Sequence, residues 1–209
     1  MKLHSLTLGA VETNAYLLIH EHRAVLVDAP EGAATAVDAL LEEEGATLEA
    51  LLLTHGHWDH IVDAAALSRR GLRVYGHPGD QPFFEHPEVM RSFLPLPLSL
   101  EPIDVTHWVH DADRFLEMGL RFEVRLVDGH APGNVLYHLP SEGIAFSGDS
   151  LFRRGVGRTD LPGSRPEALV ESIRKRIYTL PAGTVVYPGH GPATTVGEEK
   201  AENPFVPAA

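Results

Sequence analysis

Cysteine is missing from all 209 residues, which excludes disulfides, thiolate metal ligands and a cysteine nucleophile together while leaving the compartment open. Long apolar runs are missing too, since nothing approaches the roughly 18 consecutive apolar residues that span a bilayer. The amino terminus, Met1-Lys2-Leu3-His4-Ser5-Leu6-Thr7-Leu8-Gly9, has no long apolar stretch with a small-residue cleavage site. These absences predict a cytoplasmic protein without membrane engagement. Basic residues are scarce, 17 Lys and Arg against 29 Asp and Glu, for a formal charge of -12. Phosphate contacts need clustered cations, so no nucleic-acid partner is expected. With 44% hydrophobic residues, the length suffices for one well-buried domain, taken as residues 1–209.

Histidine, by contrast, is abundant. Residues 54 to 60 read Thr54-His55-Gly56-His57-Trp58-Asp59-His60, three imidazoles and a carboxylate crowded behind an apolar run. With 13 His and 11 Asp in the chain, this pattern would arise by accident in roughly 0.003 sequences of such composition. His55 and His57 alternate as on an extended strand end, while Asp59 and His60 fall where a helix would begin, so one turn can aim four donors at a common point. Imidazole nitrogen and carboxylate oxygen suit zinc foremost, and also iron or manganese. Four donors do not complete two centres. Three more stand where a β-rich run meets a glycine and a turn: His130 in Val127-Asp128-Gly129-His130, Asp149 in Phe146-Ser147-Gly148-Asp149, and His190 in Val186-Tyr187-Pro188-Gly189-His190.

Strand-end motifs in this order resemble the metallo-β-lactamase superfamily over nearly the whole chain. Within it, Tyr187-Pro188-Gly189-His190-Gly191-Pro192 with Asn203-Pro204-Phe205, and the loop Gly157-Arg158-Thr159-Asp160-Leu161-Pro162-Gly163, are most similar to short bacterial glyoxalase II-like proteins, the hydroxyacylglutathione hydrolases. The resemblance implies two divalent metal ions, one on His55, His57 and His130 and the other on Asp59, His60 and His190. Asp149 would bridge them, and Asp28, ending Ala24-Val25-Leu26-Val27-Asp28, would support the ligands from behind. Asp59 and Asp149 then carry catalysis through the metals, and Arg158 is the candidate contact to substrate. Two motifs depart from the family pattern: Asp128 and Ala131 stand around His130 where proline and threonine are usual, and Val62-Asp63 replaces a glycine pair. Neither removes a donor.

Organisation along the chain supports the α/β fold the resemblance implies. Strand-like segments at Lys2–Leu8, Ala15–Ile19, Ala24–Val27 and Leu51–Leu53 surround a helix at Ala33–Glu44, whose Ala36, Val37, Leu40 and Leu41 share one face. After Arg73–Tyr75 comes a proline-rich stretch, Pro78 to Pro102, read as a helical insertion beside the cleft. The pattern then repeats through Phe115–Glu117, Arg121–Leu126, Asn134–Leu139, Gly143–Ser147, a helix at Pro166–Tyr178, and Thr184–Tyr187. Two such halves face to face make a four-layer αβ/βα sandwich. The other eight histidines, His4, His20, His22, His77, His86, His107, His110 and His138, lack companion donors at ligand spacing and are assigned to surface or packing. The runs Glu42-Glu43-Glu44 and Glu198-Glu199-Lys200 read as solvated helix faces.

A water shared by two cations loses its proton near neutral pH, which suits attack on a carbonyl. No motif nominates a proton donor. A thiolate leaving group with a pKa near 8.5 to 9 departs unaided, whereas an amine must be protonated, so the expected partner is a small-molecule thioester. S-lactoylglutathione leads by resemblance. Yet Asp160 and Gly191-Pro192 stand where the long glyoxalase II enzymes carry a tyrosine and an aromatic segment for glutathione. The competing functions are a mononuclear iron persulfide dioxygenase, which shares Gly157-Arg158-Thr159-Asp160, and a lactonase or β-lactamase of the same fold. A nuclease would need a basic channel, which is not visible. A noncatalytic binding module would be expected to have lost donors.

Overall fold

The computed structural model describes residues 1–94 and 98–207; of the proline-rich stretch, Pro95 to Pro97 lie outside them. The first half forms a six-stranded sheet in chain order, β1 (Lys2–Leu8), β2 (Thr13–His20), β3 (Arg23–Val27), β4 (Thr47–Leu52), β5 (Arg73–Gly76) and β6 (His107–Trp108). Its first three strands pair antiparallel and the rest parallel. The second sheet is built from β7 (Arg114–Glu117), β8 (Leu120–Leu126), β9 (Val135–Leu139), β10 (Ile144–Gly148), β13 (Val185–Pro188) and β14 (Thr194–Thr195), in the order β14-β13-β10-β9-β8-β7. Between β10 and β13 lies a small hairpin of β11 (Leu151–Phe152) and β12 (Gly155–Val156).

Strands buried on both faces read as unbroken apolar runs, and the period of two decides which face each side chain serves. In β2, Ala15, Leu17 and Ile19 point to one side and join Leu26, Leu51 and the helices α1 (Ala33–Glu44), α2 (Trp58–Ile61) and α3 (Ala64–Ser68) through Val37, Ile61 and Leu67. Tyr16 and Leu18 point to the other side and meet Phe122, Tyr137 and Phe146 of the second sheet. That sheet's far face, Leu136, Ala145 and Val186, packs on α5 (Pro166–Ser172), its π-helical continuation Ile173–Ile177, and α6 (Val196–Glu202). Three apolar seams therefore separate four layers, helix, sheet, sheet, helix, as the sequence pattern implied. The helix α1 stops where expected, because Gly45 takes a left-handed φ of 59° and its N–H returns to Glu42.

The Pro78 to Pro102 stretch is helical in its first part, a 3₁₀ turn at Pro78–Asp80, α4 (Gln81–Glu85), then a 3₁₀ segment at Pro87–Phe93, while Leu98 to Pro102 form no helix. The carboxy-terminal charge run corrects one expectation. Thr195 and Glu198 form a capping box that starts α6, but Glu199 is fully buried rather than solvated. It accepts bonds from Thr194 Oγ1 (2.6 Å), Asn203 Nδ2 (2.8 Å) and the Arg154 N–H (2.9 Å). A buried carboxylate needs such partners, and Asn203 of the Asn203-Pro204-Phe205 tail supplies one. No helix among the described residues is long and apolar enough to cross a membrane.

Candidate metal centre

Four strands deliver the seven donors to one edge of the sandwich. His55 follows β4, His57 occupies the residue before α2, and Asp59 and His60 lie in that short helix's only turn. His130, Asp149 and His190 follow β8, β10 and β13. His57 Nδ1 and His130 Nε2 are 2.8 Å apart, and His130 Nε2 and His55 Nε2 3.2 Å. A second group forms alongside: His190 Nε2 is 3.1 Å from Asp59 Oδ2, and His60 Nε2 is 3.5 Å from the same oxygen. Asp149 joins the two, with Oδ1 at 3.3 Å from His60 Nε2 and Oδ2 at 3.4 Å from His190 and 3.7 Å from His130. The donor sets His55-His57-His130 and Asp59-His60-His190 each gather their atoms within 4.8 Å of one another.

Hydrogen bonds on the far side of the rings fix which nitrogen each presents. Asp28 Oδ2 accepts from His60 Nδ1 (2.8 Å) and from the Thr54 hydroxyl (2.7 Å), and Oδ1 accepts from the Thr54 N–H (2.8 Å). Having given its proton to Asp28, the Thr54 oxygen is left to accept from His55 Nδ1 at 3.1 Å. His130 Nδ1 donates to the Arg158 carbonyl at 2.8 Å. His55, His60 and His130 therefore all turn unprotonated Nε2 atoms toward one another, an arrangement without hydrogen bonds to offer but with lone pairs for a cation. The buried His60 Nε2 and Asp149 Oδ1 have no hydrogen-bond partner in the protein. Ligand nitrogens about 2.0 to 2.1 Å from a tetrahedral ion lie roughly 3.3 Å apart, close to the spacing found. The residues fit a divalent metal. Asp28 itself sits at a left-handed φ of 58°, a conformation aspartate tolerates better than most residues, and it is 2% exposed rather than at a surface turn.

Charge divides the two donor sets. Burial pushes His55 well below the ordinary imidazole range, and His57 down to about 3, with neighbouring imidazoles adding to the effect. His130 is lowered as well, chiefly by burial. At His60 burial also opposes the proton, but Asp59, Asp149 and Asp28 outweigh it and hold this group well above the usual range. His190 is raised for a similar reason, its bond to Asp59 and the charge of Asp149 overcoming burial. Asp59 and Asp149 are both lowered, because the facing His60 and His190 outweigh the burial that would raise them. One set is thus held neutral, while in the other the carboxylates draw positive charge to His60 and His190, the charge that a cation bound at the unprotonated Nε2 atoms would supply instead.

Several residues that hold the centre carry no motif of their own. Asn14 at the start of β2 donates from Nδ2 to the carbonyls of Pro188 (3.0 Å) and Gly191 (2.8 Å), bracketing His190, and the Tyr16 hydroxyl adds a bond to Pro188 (2.6 Å). Thr13 Oγ1 donates to Asp59 Oδ2 at 2.9 Å. A Cβ on Gly189 would run into His60 and Asp149. Asp80, fully buried, accepts from the Gly56 N–H (2.8 Å) and the Gly133 N–H (2.6 Å). It ties the loop of His55 and His57 to the loop after His130. Burial pushes Asp80 up to about 7, against the pull of those two amides. Its setting, apolar strand, glycine, carboxylate in Val74-Tyr75-Gly76-His77-Pro78-Gly79-Asp80, is the signal that marked Asp149.

Arg158 lines the cavity over the donors, but its guanidinium grips Asp160, Nε to Oδ1 at 2.6 Å and a terminal nitrogen to Oδ2 at 2.7 Å. Asp128, beside His130, turns away to pair with Arg165, and Ala131 is buried. Of the eight unassigned histidines, His138 faces Glu123 at 3.5 Å and the His107 ring lies tilted against Tyr75, centroids 4.9 Å apart, with no place in either donor set.

Comparison with known proteins places these observations in a family. Residues 8–190 match the family model described as the metallo-beta-lactamase superfamily. A hydroxyacylglutathione hydrolase of Haemophilus influenzae is 33% identical over 211 residues, covering 99% of this chain and 98% of its own. Among solved structures, a B3 metallo-β-lactamase superposes with a TM-score of 0.89 at 36% identity, over 98% of this chain and 99% of that one. A protein crystallised in a di-iron-bound form superposes with a TM-score of 0.84 at 39% identity, over 97% and 99%.

Proposed function

This chain belongs to the metallo-β-lactamase superfamily, and from that premise we propose that it is a binuclear metal-dependent hydrolase cleaving hydroxyacyl thioesters, S-lactoylglutathione or a relative of it. The observation that carries the reading is the pair of donor sets that share Asp149. His55, His57 and His130 would hold one ion and Asp59, His60 and His190 the other, with zinc the first choice for this nitrogen and oxygen set. Two such cations supply a water acidified to near neutral pH and a counter-charge for the developing oxyanion. The likeness to a protein crystallised with two irons supports the count of two, and the likeness to a hydroxyacylglutathione hydrolase supports the thioester.

The protein's own part is to orient. Asp28 fixes the Thr54-His55 pair and His60, and the Arg158 carbonyl fixes His130, so these three rings would meet an ion without a tautomer change. Beyond the donors, the cavity presents Val11, Trp58, Phe93, Leu161 and Arg158. None of these gives up a proton near neutral pH. A leaving group that departs unprotonated, a thiolate, suits such a site better than an amine. The test is a metal count on purified, reloaded protein, followed by thioester cleavage with and without oxygen. Two ions per chain and oxygen-independent cleavage are expected. One iron and oxygen consumption would instead make it a dioxygenase.

A further inference from the structure

We propose that the arm this site accepts beyond the reacting carbonyl is apolar and uncharged, so that the preferred substrate is the thioester of a hydrophobic thiol rather than of one bearing carboxylates. The inference rests on the hydrolase reading above and narrows it. The reaction is unchanged: water adds to the carbonyl carbon, the carbon–sulfur bond breaks, and a carboxylate, a thiol and a proton result.

The walls carry the argument. A cavity of about 340 Å³ stands over the donors. Its apolar lining comes from separate segments: Val11 from the turn between β1 and β2, Trp58 from α2, Phe93 from the end of the 3₁₀ segment, and Leu161 from the loop after β12. Val11 and Phe93 are each 39% exposed, although large apolar side chains generally avoid water. Isolated exposed hydrophobes are ordinary, but two from distant segments that meet half-buried Leu161 and buried Trp58 around one mouth mark a ligand wall. The wall is backed. Trp58 packs with Phe83 and Met90, and Leu94, Leu98 and Leu100 pack against them, so the apolar surface is held by a small core of its own.

Charge points the same way. Arg158 is the sole cationic side chain lining the cavity outside the donor sets, among the described residues. Both arms of its fork facing Asp160 are occupied, at 2.6 and 2.7 Å, and the pair presents no net charge to an arriving carboxylate. Glutathione carries two carboxylates. An alkyl arm gains from every methylene it buries, about threefold to fourfold in KM for each.

The experiment compares lactoyl thioesters of glutathione, N-acetylcysteamine, butanethiol and hexanethiol on the metal-loaded full chain. We expect kcat/KM to rise along the alkyl series and to exceed that for the glutathione ester at least tenfold for the hexyl ester. Phe93→Ser and Val11→Ser should each shrink that preference at least fivefold through KM, and Asp160→Asn, which frees Arg158, should move it toward glutathione. A preference for the glutathione ester, or a hexyl preference indifferent to Phe93→Ser and Val11→Ser, overturns the proposal. Should no thioester be cleaved, the hydrolase reading fails, and calorimetric titration with methyl hexyl sulfide against S-methylglutathione still decides the arm. Tighter binding of the sulfide upholds it, and tighter binding of the glutathione conjugate overturns it.

Discussion

The two halves of the molecule bring their donors to the centre by different means. The first sheet contributes four from one turn, where His55, His57, Asp59 and His60 are kept together by covalent adjacency and by Asp28 beneath them. The second contributes His130, Asp149 and His190 from loops 19 and 41 residues apart, as 149 − 130 and 190 − 149. Two of those loops are placed by bonds that cross from the first half, Asn14 and Tyr16 to the His190 loop and Asp80 to the loop after His130, while the Asp149 N–H donates to Asn134 within the second half. One half is a motif and the other an assembly. An assembled set is only as well placed as its longest-range hydrogen bonds, so damage far from the metal should be felt there first.

The most severe way to break this division is Asp149→Ala, which removes the group shared by both donor sets. Turnover should fall about a thousandfold or more, while His107→Ala and His138→Ala, outside both sets, stay within about twofold; steady-state kinetics on reloaded protein would show it. Asp28→Ala should come next. It strips the acceptor behind His60 and Thr54, and metal affinity measured by competition with a chelator is expected to drop about 10- to 100-fold.

Asn14→Ala sharpens the comparison from the other side. Losing two bonds to the His190 loop should cost roughly 2 kcal/mol of stability at about 1 kcal/mol each. One ion per chain should loosen while the ion on His55, His57 and His130 stays, and denaturation together with metal analysis would separate these effects; equal loss of both ions would mean that the halves are not held independently. The smallest effect concerns pH. With its pKa raised to about 7, Asp80 contributes stability that is complete below the ordinary carboxylate range and is lost as pH climbs toward 7. In metal-free protein the Asp80→Asn variant should show a flatter melting temperature between pH 5 and 8 than the parent, and an unchanged slope would relocate the titrating group.

The contrast between motif and assembly also explains what the sequence reveals. The donors are legible because each follows a strand and a turn, and chance does not produce the pattern around His55. The layers are legible because strands such as β2 and β3 are apolar on both faces. The supports are not. Asn14 meets Pro188 across 174 positions, and periodicity carries only local information. Glu199 reads as solvent-facing because a charge run gives no hint that Thr194, Arg154 and Asn203 close over it. Arg158 lies between these cases: its partner is two residues away and visible in the sequence, but only geometry decides between Asp160 and a substrate.

The helical stretch that begins at Pro78 has a root and a tip with opposite tolerances. At the root, Asp80 clamps two donor loops, and a Cβ on the neighbouring Gly79 would strike the Pro132 carbonyl at 2.6 Å. At the tip, thirteen residues on, Phe93 touches the cavity mouth and belongs to no donor loop. For anyone wishing to retune what the protein accepts, the tip is the place to diversify. If that wall selects the substrate, its range can drift there while the donor geometry, anchored at the other end of the same segment, is inherited intact.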